Sequence, residues 1–448
     1  MVNYLTTLDF TLIFVYFGIL LLIGYWTSRK QKEEDYLIAE RNLGSWSTMA
    51  TMNASKTGSI LMTFVALTFL WGFSAVWYFI GVIAGVFLFL PFALKLKENS
   101  KDKYYTLADY FKNNFGKKTA LIASLLSIFL MIGLAIINII AGTKIFTFFS
   151  GWPFWFCAIL MTFVILVYLL LGGFKAVVRT DIIQYVAMVL LLLAMALLLF
   201  NGSIIPSSDW NFFAANIGTI IGFFIVGVMF PFASPDMWQR TYSAKGKKEL
   251  RNGILISILI YAVFAFLLAL VALTVKAQFP NIDPDLALIH GFANLLPVGL
   301  VGLAVVLLFS AIMSSVDTYL YTASSAAIQD FYTGEKKRII NLIRKALIIF
   351  TILGVLIAIA IQDLVISSYI FAAFYTVIAI PTIATWIRPK IKPLSLILGF
   401  IFGVLSTILL LIISLLQGGI APTIVLVAIG ATLIGLFLGG FLGLLKKY

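Results

Sequence analysis

The chain contains many apolar stretches that reach or approach the length of a membrane-spanning helix. Such a helix needs about 20 predominantly apolar residues to cross the hydrocarbon core of a bilayer. Hydrophobic residues make up 62% of the 448 residues and charged residues only 11%, whereas charged residues form about a quarter of an ordinary globular domain. We therefore predict an all-α polytopic membrane protein that forms a single transmembrane domain over residues 1–448, without a soluble domain.

The apolar pattern predicts thirteen spans in a multi-pass protein of the plasma (cytoplasmic) membrane. If the N-terminus lies outside, all but three of the 31 basic residues fall in loops or in the tail on one side. The exceptions are Lys56, Lys144 and Lys276. Because cytoplasmic loops carry such an excess of Lys and Arg, we predict an outer N-terminus and a cytoplasmic C-terminus. The net charge of +13 then reflects membrane topology and not a nucleic-acid-binding surface. The predicted spans are residues 8–28, 44–72, 74–97, 118–147, 152–171, 175–201, 212–240, 247–278, 293–328, 337–362, 364–387, 393–417 and 419–445.

Two predicted spans contain helix breakers at mid-membrane. The second span has the polar stretch ATMNASKTGS at residues 50–59, which includes Lys56, and the seventh has FPFASPDMWQR, in which Pro231 and Pro235 flank Ser234. A charge at bilayer depth costs ~2.5–3.5 kcal/mol even on a lenient scale, so Lys56 needs a partner or a watery cavity. Broken helices at corresponding positions of two inverted halves are typical of transporter binding sites. We therefore predict that both spans are broken.

Two further spans carry polar residues at membrane depth. The ninth has hydroxyl residues at helical spacing together with Asp317, and the sixth begins with Asp181 and Gln184. Hydroxyl and carbonyl oxygens suit a small alkali cation rather than a transition metal, and buried acids in membrane helices indicate function. Two alternatives remain: the hydroxyls link neighbouring helices, and Asp181 pairs with Arg179.

Other functional classes find little support in the residues. There is one cysteine, Cys157, and one histidine, His290, which is predicted to lie in an outer loop. This excludes a cysteine metal cluster and disfavours a zinc site or a histidine relay. An enzyme is therefore not expected, a membrane receptor or sensor would need an output domain, and a channel would need a continuous polar pore.

Four segments resemble the sodium:solute symporter family. They are DYLIAERNLG (35–44), TLADYF (106–111), GGFKAVVRTDIIQ (172–184) and SSVDTYLYTASSAAIQDFY (314–332). The resemblance implies a leucine-transporter-type fold. Its five-plus-five inverted repeat would occupy approximately 44–201 and 212–387, with one helix before it and two after it.

The resemblance also implies two cation sites and a solute site. A sodium site would use backbone oxygens of Thr51, Ala54 and Ala311 and the hydroxyls of Ser314 and Ser315. A second cation site would use Asp181, Ser314, Asp317 and Thr318. Solute would bind near Thr57, Gly58, Phe230 and Pro231, and the aromatic residues Tyr369, Phe374 and Tyr375 would close the site.

Lys56 departs from the family pattern, which has aspartate at this position in proline-type members and a small residue in sugar-type members. Two positive charges ~4 Å apart repel by ~4 kcal/mol at an effective dielectric constant of about 20, which is roughly a thousandfold in affinity. Three alternatives follow. The ammonium occupies the sodium site beside Ser314 and Ser315, it pairs with Asp317 or Asp181, or it points into the solute pocket and binds a carboxylate.

The sequence thus predicts a secondary-active, cation-coupled symporter that works by alternating access. The first alternative for Lys56 implies coupling to protons or no coupling, and the other two leave sodium as the driving ion. No cofactor is expected beyond the coupling ion, Na+ or H+. The predicted third span and the pocket positions Gly227, Phe230 and Pro231 of the seventh offer no carboxylate for sugar hydroxyls, so an organic acid or an amino acid is favoured over a sugar.

Overall fold

The computed structural model describes residues 5–29, 31–100, 103–202, 204–296, 300–417 and 424–445, and these ranges are almost entirely helical. Leu43 and Ala244 form an isolated parallel β-bridge between two loops. The helices are α1 (Thr7–Ser28), α2 (Glu33–Ile38), α3 (Ser45–Trp71), α4 (Val76–Ser100), α5 (Leu107–Phe115), α6 (Lys117–Ser150), α7 (Phe154–Asn201), α8 (Ile217–Ala233), α9 (Pro235–Ser243), α10 (Lys247–Gln278), α11 (Ala287–Leu295), α12 (Val301–Gln329), α13 (Lys336–Ile361), α14 (Leu364–Ile387), α15 (Pro393–Leu416) and α16 (Ile424–Leu445).

The membrane-spanning helices confirm a polytopic membrane protein. Within the described ranges, ten helical stretches are long and apolar enough to cross a bilayer, or eleven when the bent pair α8–α9 is included. One stretch, 60–100, joins the end of α3 to α4, and another, 154–200, contains most of α7. If α8–α9 is counted as one span and each of these two long stretches is divided into two, the total is thirteen. The count of thirteen therefore stays a prediction.

Helix α7 is divided at Gly173. A straight helix of 48 residues would be ~72 Å long, more than twice the thickness of the hydrocarbon core. Gly173 has φ 53° and ψ −143°, a conformation that glycine adopts at little steric cost. An added Cβ would also lie 2.6 Å from the ring of Tyr36. The two limbs match the predicted boundary between the fifth and sixth spans.

The predicted break in the seventh span is confirmed. Helices α8 and α9 meet at Ser234 with a bend of 43°, and Ser234 has non-helical angles of φ −86° and ψ 101°. Pro235 begins α9, where its missing N–H is not needed for an intrahelical bond. The chain beyond the break therefore continues as a helix inside the protein.

The predicted break in the second span is wrong, because α3 is helical from Ser45 to Trp71. The polar segment has no proline, so each backbone N–H can still donate within the helix. The hydroxyls of Ser55 and Thr57 donate to carbonyls of the same helix, at Met52 (3.4 Å) and Asn53 (2.8 Å). Local side-chain bonds of this kind let polar residues remain in a buried helix.

The packing of the helices fits two inverted halves, the first beginning at α3 and the second at α8. Helix α3, the first helix of its half, packs on α10, the second long helix of the other half. Correspondingly, α4, the second long helix of the first half, packs on α8, the first helix of the second half. The third long helices, α6 and α12, pack on each other. A pseudo-two-fold axis exchanges partners in this manner. The boundaries 44–201 and 212–387 stay predictions.

The ends of three predicted spans differ from the structure. The seventh span was predicted to begin at residue 212, but α8 begins at Ile217. The ninth span was predicted over 293–328, but its first part belongs to the separate helix α11 and α12 begins at Val301. Of the last predicted span, 419–445, the part at 419–423 lies outside the described residues, and α16 covers the remainder.

Candidate functional site

Arg240 lies at the centre of the protein with no exposed surface. The sequence had placed this arginine among the basic residues of an inner loop, and that assignment is wrong because α9 keeps it inside the helix bundle. Its Nη2 atom is 3.1 Å from Asp181 Oδ2 and donates to Thr318 Oγ1 at 2.8 Å. Its Nε atom donates to the backbone oxygen of Thr51 at 3.1 Å. One guanidinium therefore joins α9 to α3, α7 and α12.

The predicted second cation site and this guanidinium share the same oxygen atoms. Asp181 and Thr318 are both bonded to Arg240, and Asp181 Oδ2 also accepts a hydrogen bond from the hydroxyl of Thr51. The alternative partner of Asp181, Arg179, instead donates to the hydroxyl of Thr27 at 3.0 Å. Asp181 is thus paired with an arginine 59 positions away in the chain, a pairing that spacing along one helix could not reveal.

Asp236 is a buried acid that the sequence did not single out as a site residue. Its Oδ2 atom lies 3.6 Å from Nη1 of Arg240, one helical turn further along α9, and 3.4 Å from the hydroxyl of Ser55. The signal was present in the segment SPDMWQR, which has an acid and an arginine four residues apart directly after the break. Such a pair lies on one face of a helix.

Asp317 is fully buried against the two limbs of α7. Its Oδ2 atom accepts hydrogen bonds from the hydroxyl of Tyr168 at 2.7 Å and from that of Thr180 at 3.4 Å. These donors stabilise the carboxylate, but no basic side chain in the described ranges lies within ion-pair distance of it. Asp317 therefore has hydroxyl donors without a paired countercharge.

When all five buried ionisable residues of this layer are charged, the layer carries an excess of one negative charge. The acids are Asp181, Asp236 and Asp317, and the basic residues are Lys56 and Arg240. The Oδ1 atom of each acid accepts no hydrogen bond from any residue that the structure describes. Uncompensated buried charge is costly. One monovalent cation would balance the layer and would find open carboxylate oxygens there.

The predicted sodium ligands on α3 and α12 are close together. The hydroxyl of Ser314 is 3.0 Å from the carbonyl oxygen of Ala54 and 2.7 Å from that of Ala311. The hydroxyl of Ser315 donates to the carbonyl of Ser55 at 2.9 Å. Four of the five predicted ligand residues thus lie at one contact between the two helices, whereas the Thr51 carbonyl accepts from Arg240.

Gly58 allows α3 and α12 to approach closely at this contact. A Cβ atom at Gly58 would overlap the Ala311 carbonyl and lie 2.5 Å from the hydroxyl of Ser315. We expect Gly58→Ala to cost about 1–3 kcal/mol of stability, as overpacked cores do, and to separate the predicted ligands. Thermal unfolding of purified protein measures this effect. Gly18→Ala in α1 is the matched control, because a Cβ there meets nothing within 4 Å. Equal melting temperatures for the two variants would contradict the expectation.

Lys56 is buried and lies on the side of α3 that faces α4 and α10. Its Nζ atom is 5.9 Å from the centroid of the Tyr261 ring, within the range of a cation–π contact. It lines a small cavity together with Val82 and Ser257. Asp236 is the acid that acts on it electrostatically. This direction differs from the three that the sequence left open.

An apolar cavity of about 110 Å³ lies between α3, α8 and α14. Three predicted solute residues, Phe230, Tyr369 and Tyr375, line it, and the rings of Phe230 and Tyr375 are 5.4 Å apart. At one end, Trp71 Nε1 donates to the hydroxyl of Tyr369 at 3.0 Å. Thr63 and Tyr375 also line the cavity, and their buried hydroxyls have no hydrogen-bond partner among the described residues.

The other predicted solute residues lie outside this lining. Thr57 lines a smaller cavity beside Tyr261, and the ring of Phe374 packs on Phe129 at 4.6 Å between centroids. Gly58 packs on α12, and Pro231 is buried within α8. Three of the seven predicted solute residues thus line this cavity, and the solute site itself stays a prediction.

Aromatic side chains close the protein on the side of the basic loops. The ring of the fully buried Trp238 lies 5.3 Å from that of Phe92 and 5.4 Å from that of Tyr110. Phe92 also packs on Trp386, with 5.3 Å between ring centroids. Lys97 Nζ donates to the Tyr242 carbonyl at 3.0 Å. These contacts join α4, α5, α9 and α14 below the charged layer.

Comparison with known proteins gives a consistent result. The model of the sodium:solute symporter family matches residues 36–205 and 206–387. The osmoregulated proline transporter of Bacillus subtilis (strain 168) is 24% identical over 395 residues, which cover 80% of each chain. A sodium/proline symporter of Staphylococcus aureus (strain Newman) is 25% identical over 359 residues, covering 73% of this chain and 69% of its own.

Two solved structures share the fold. A Na+-coupled sialic acid symporter, solved substrate-bound in an outward-open state, has a TM-score of 0.80 at 18% identity and covers 97% of this chain and 98% of its own. A transporter of the nucleobase-cation-symport-1 family, in a closed conformation, has a TM-score of 0.60 at 13% identity and covers 90% of this chain and 93% of its own. The family model accounts for most of the chain and the fold agrees with it. The chain therefore belongs to the sodium:solute symporter family, whose members are transporters and not enzymes.

Proposed function

We propose that the protein is a secondary-active symporter that couples transport of a small organic solute to one sodium ion. The observation that carries this proposal is the charged layer, in which three buried acids face two buried basic residues. A single monovalent cation restores neutrality there. Membership of the family supports sodium as that cation.

The charged layer already contains two basic side chains, Lys56 and Arg240, which limit how many cations can bind there. The guanidinium of Arg240 is bonded to Asp181 and Thr318, which are two members of the second cation site that the family resemblance implies. An ion could enter that position only if Arg240 moved. The proposed ion therefore binds near the α3–α12 contact and the open oxygen of Asp317, and it is coupled to solute in a ratio of one to one.

The apolar cavity supports a solute without net charge. No charged side chain is found among the described residues that line it, while the hydroxyls of Thr63 and Tyr375 offer hydrogen bonds. An unpaired anion would be costly in such a cavity, so an organic acid fits less well than a zwitterionic amino acid. The named relatives carry proline, and a small amino acid such as proline is our first candidate.

Proton coupling through Lys56 is the second candidate. It is favoured by the burial of Lys56 in a small cavity beside Tyr261, because a desolvated lysine gives up its proton more easily. In this alternative, Lys56 alternates between protonated and neutral forms while Asp236 serves as its countercharge. Sodium is then not required.

Transport into liposomes separates the two candidates. Purified protein is reconstituted, and uptake of radioactive proline is measured under an imposed sodium gradient and then under an imposed proton gradient. We expect uptake with the sodium gradient and none with the proton gradient alone. The reverse result would replace sodium by the Lys56 mechanism.

Ligand-induced stabilisation extends the test to other solutes. A ligand at one hundred times its dissociation constant stabilises a protein by about 2.7 kcal/mol. Amino acids are screened for a rise in melting temperature in sodium chloride and in choline chloride. We expect the active solute to act more strongly in sodium. A solute that stabilises the protein equally in both salts would contradict coupled binding.

A further inference from the structure

Asp285 connects three segments on the side of the protein that lies opposite the basic loops. Its Oδ2 atom is 2.6 Å from Nζ of Lys144, near the end of α6, and accepts a hydrogen bond from the backbone N–H of Leu364 at 3.0 Å. Leu364 is the first residue of α14, where free N–H groups and the helix dipole favour a negative charge. One carboxylate therefore holds the loop before α11 against both α6 and α14.

This ion pair differs from that of Arg240 in its access to water. The side chains of Lys144 and Asp285 are 15% and 8% exposed, whereas those of Arg240 and Asp181 have no exposed surface. Lys144 and Asp285 also line a polar cleft of about 420 Å³, which has room for water. Water in the cleft can hydrate both charges when they separate, so this pair opens at a lower cost than a fully buried pair.

The polar cleft lies about one helical turn from the apolar cavity along two helices. On α3, Leu70 lines the cleft and Leu67 lines the cavity. On α14, Val365 lines the cleft and Tyr369 lines the cavity. Trp71 Nε1 donates to the hydroxyl of Tyr369 at 3.0 Å, and this bond joins the two helices at the boundary. A layer of ~5 Å, one turn of helix, therefore separates the two spaces.

We propose that Asp285 is the latch of the gate on this side of the protein: its bonds to Lys144 and to the start of α14 keep the Trp71–Tyr369 contact closed, and they open in each transport cycle. Tyr369 lies five residues after Leu364, so it moves with the start of α14. When the ion pair separates, this part of α14 can leave α3, and the cleft and the cavity become continuous. The inference rests on the transport function proposed above, but not on the identity of the driving ion.

Labelling of an introduced thiol measures the opening of this gate. Ser368→Cys exchanges a hydroxyl for a thiol in the lining of the apolar cavity, in a background where the buried Cys157 is replaced by Ser. Alkylation of the purified protein by an uncharged, water-soluble maleimide is followed with and without Lys144→Gln, which removes the ion pair. We expect Lys144→Gln to speed alkylation about tenfold, because loss of the pair shifts the population towards the open gate.

Two further lysine variants show whether the pair itself is responsible. Lys144→Arg keeps the charge and should restore slow alkylation. Lys276→Gln, in the last turn of α10, makes the same change of charge without removing the pair and is the matched control. Alkylation of Ser368→Cys that is as slow with Lys144→Gln as with Lys276→Gln would overturn the proposal.

A second thiol separates gating from a general loosening of the fold. Ala108→Cys lies in α5, on the side of the basic loops, and is buried there beside α9. Alternating access keeps one gate closed while the other is open. Lys144→Gln should therefore slow alkylation of Ala108→Cys while it speeds that of Ser368→Cys. Faster alkylation at both positions would mean that the ion pair only stabilises the fold, and the latch would be wrong.

Proline uptake by the unaltered protein distinguishes failure of the latch from failure of the proposed function. If uptake occurs but alkylation with Lys144→Gln equals that of the control, the latch is wrong and the transport function stands. If neither gradient drives uptake, the proposed function fails, whereas opposite changes at the two thiols would still support a gate held by Asp285.

Discussion

Replacement of Arg240 by glutamine should be among the most damaging single substitutions in this protein. The guanidinium bonds to Asp181, Thr318 and the Thr51 carbonyl and neutralises part of the negative charge of the layer. Loss of one partner of a buried ion pair costs about 3–5 kcal/mol, because the other charge stays buried without compensation. We expect Arg240→Gln to lower the melting temperature strongly and to abolish transport.

Two further variants test whether the charge or the hydrogen-bonding geometry of the Arg240 guanidinium is responsible for this effect. Arg240→Lys keeps the charge, but one ammonium lacks the planar fork of donors that reaches three elements at once, so we expect only partial recovery. Arg240→Gln combined with Asp181→Asn removes both charges and should recover much of the stability without transport. Arg251→Gln, on the exposed start of α10, is the control. A melting temperature of Arg240→Gln equal to that of the control would show that the guanidinium is not needed for stability.

Asp317→Asn should have the largest effect on sodium binding with little effect on folding. Asparagine can still accept hydrogen bonds from Tyr168 and Thr180, but the layer loses its one excess negative charge. An attraction of ~4 kcal/mol is expected for two unit charges ~4 Å apart at an effective dielectric constant of about 20. Its loss weakens sodium binding roughly a thousandfold. Binding of radioactive sodium to purified protein measures the change.

The stability of Asp317→Asn is as informative as its sodium affinity. A buried carboxylate without a basic partner is costly, so we expect a melting temperature at or above that of the unaltered protein in the absence of sodium. Sodium should then no longer raise it. Glu335→Gln, at an exposed helix start without a capping bond, provides the comparison. Unchanged sodium binding in Asp317→Asn would place the ion elsewhere.

The seventh and second spans show how far sequence patterns predict helix breaks. The seventh has Pro231 within α8 and Pro235 directly after Ser234. A proline disfavours helical angles at the residue before it, so one helix ends at Ser234 and another begins at Pro235. The second has serine, threonine, glycine and lysine but no proline, and each of these residues can remain in a helix when its polar atoms are satisfied. Polar composition alone therefore overpredicted a break, whereas proline predicted one correctly.

The charged layer could be predicted only in part. Lys56, Asp181 and Asp317 were evident because charged residues inside an apolar run are costly and must have a role. Arg240 was assigned to a loop, because a basic residue at the end of a predicted span usually belongs to the membrane surface. The helix beyond the break carries it back into the protein, and no feature of the local pattern shows that course.

The sequence by itself determined the membrane-protein class, the broken seventh span and the family, and it predicted the residues of a cation site. These follow from the cost of polar groups in hydrocarbon and from local backbone chemistry, both of which act within one segment. Only the tertiary structure decided which charges face one another: Arg240 with Asp181, Asp236 beside Lys56, and Asp317 with hydroxyl donors and no ion-paired base among the described residues. The reason is that electrostatic energy depends on distances in space, and the groups of this layer come from four helices far apart in the chain.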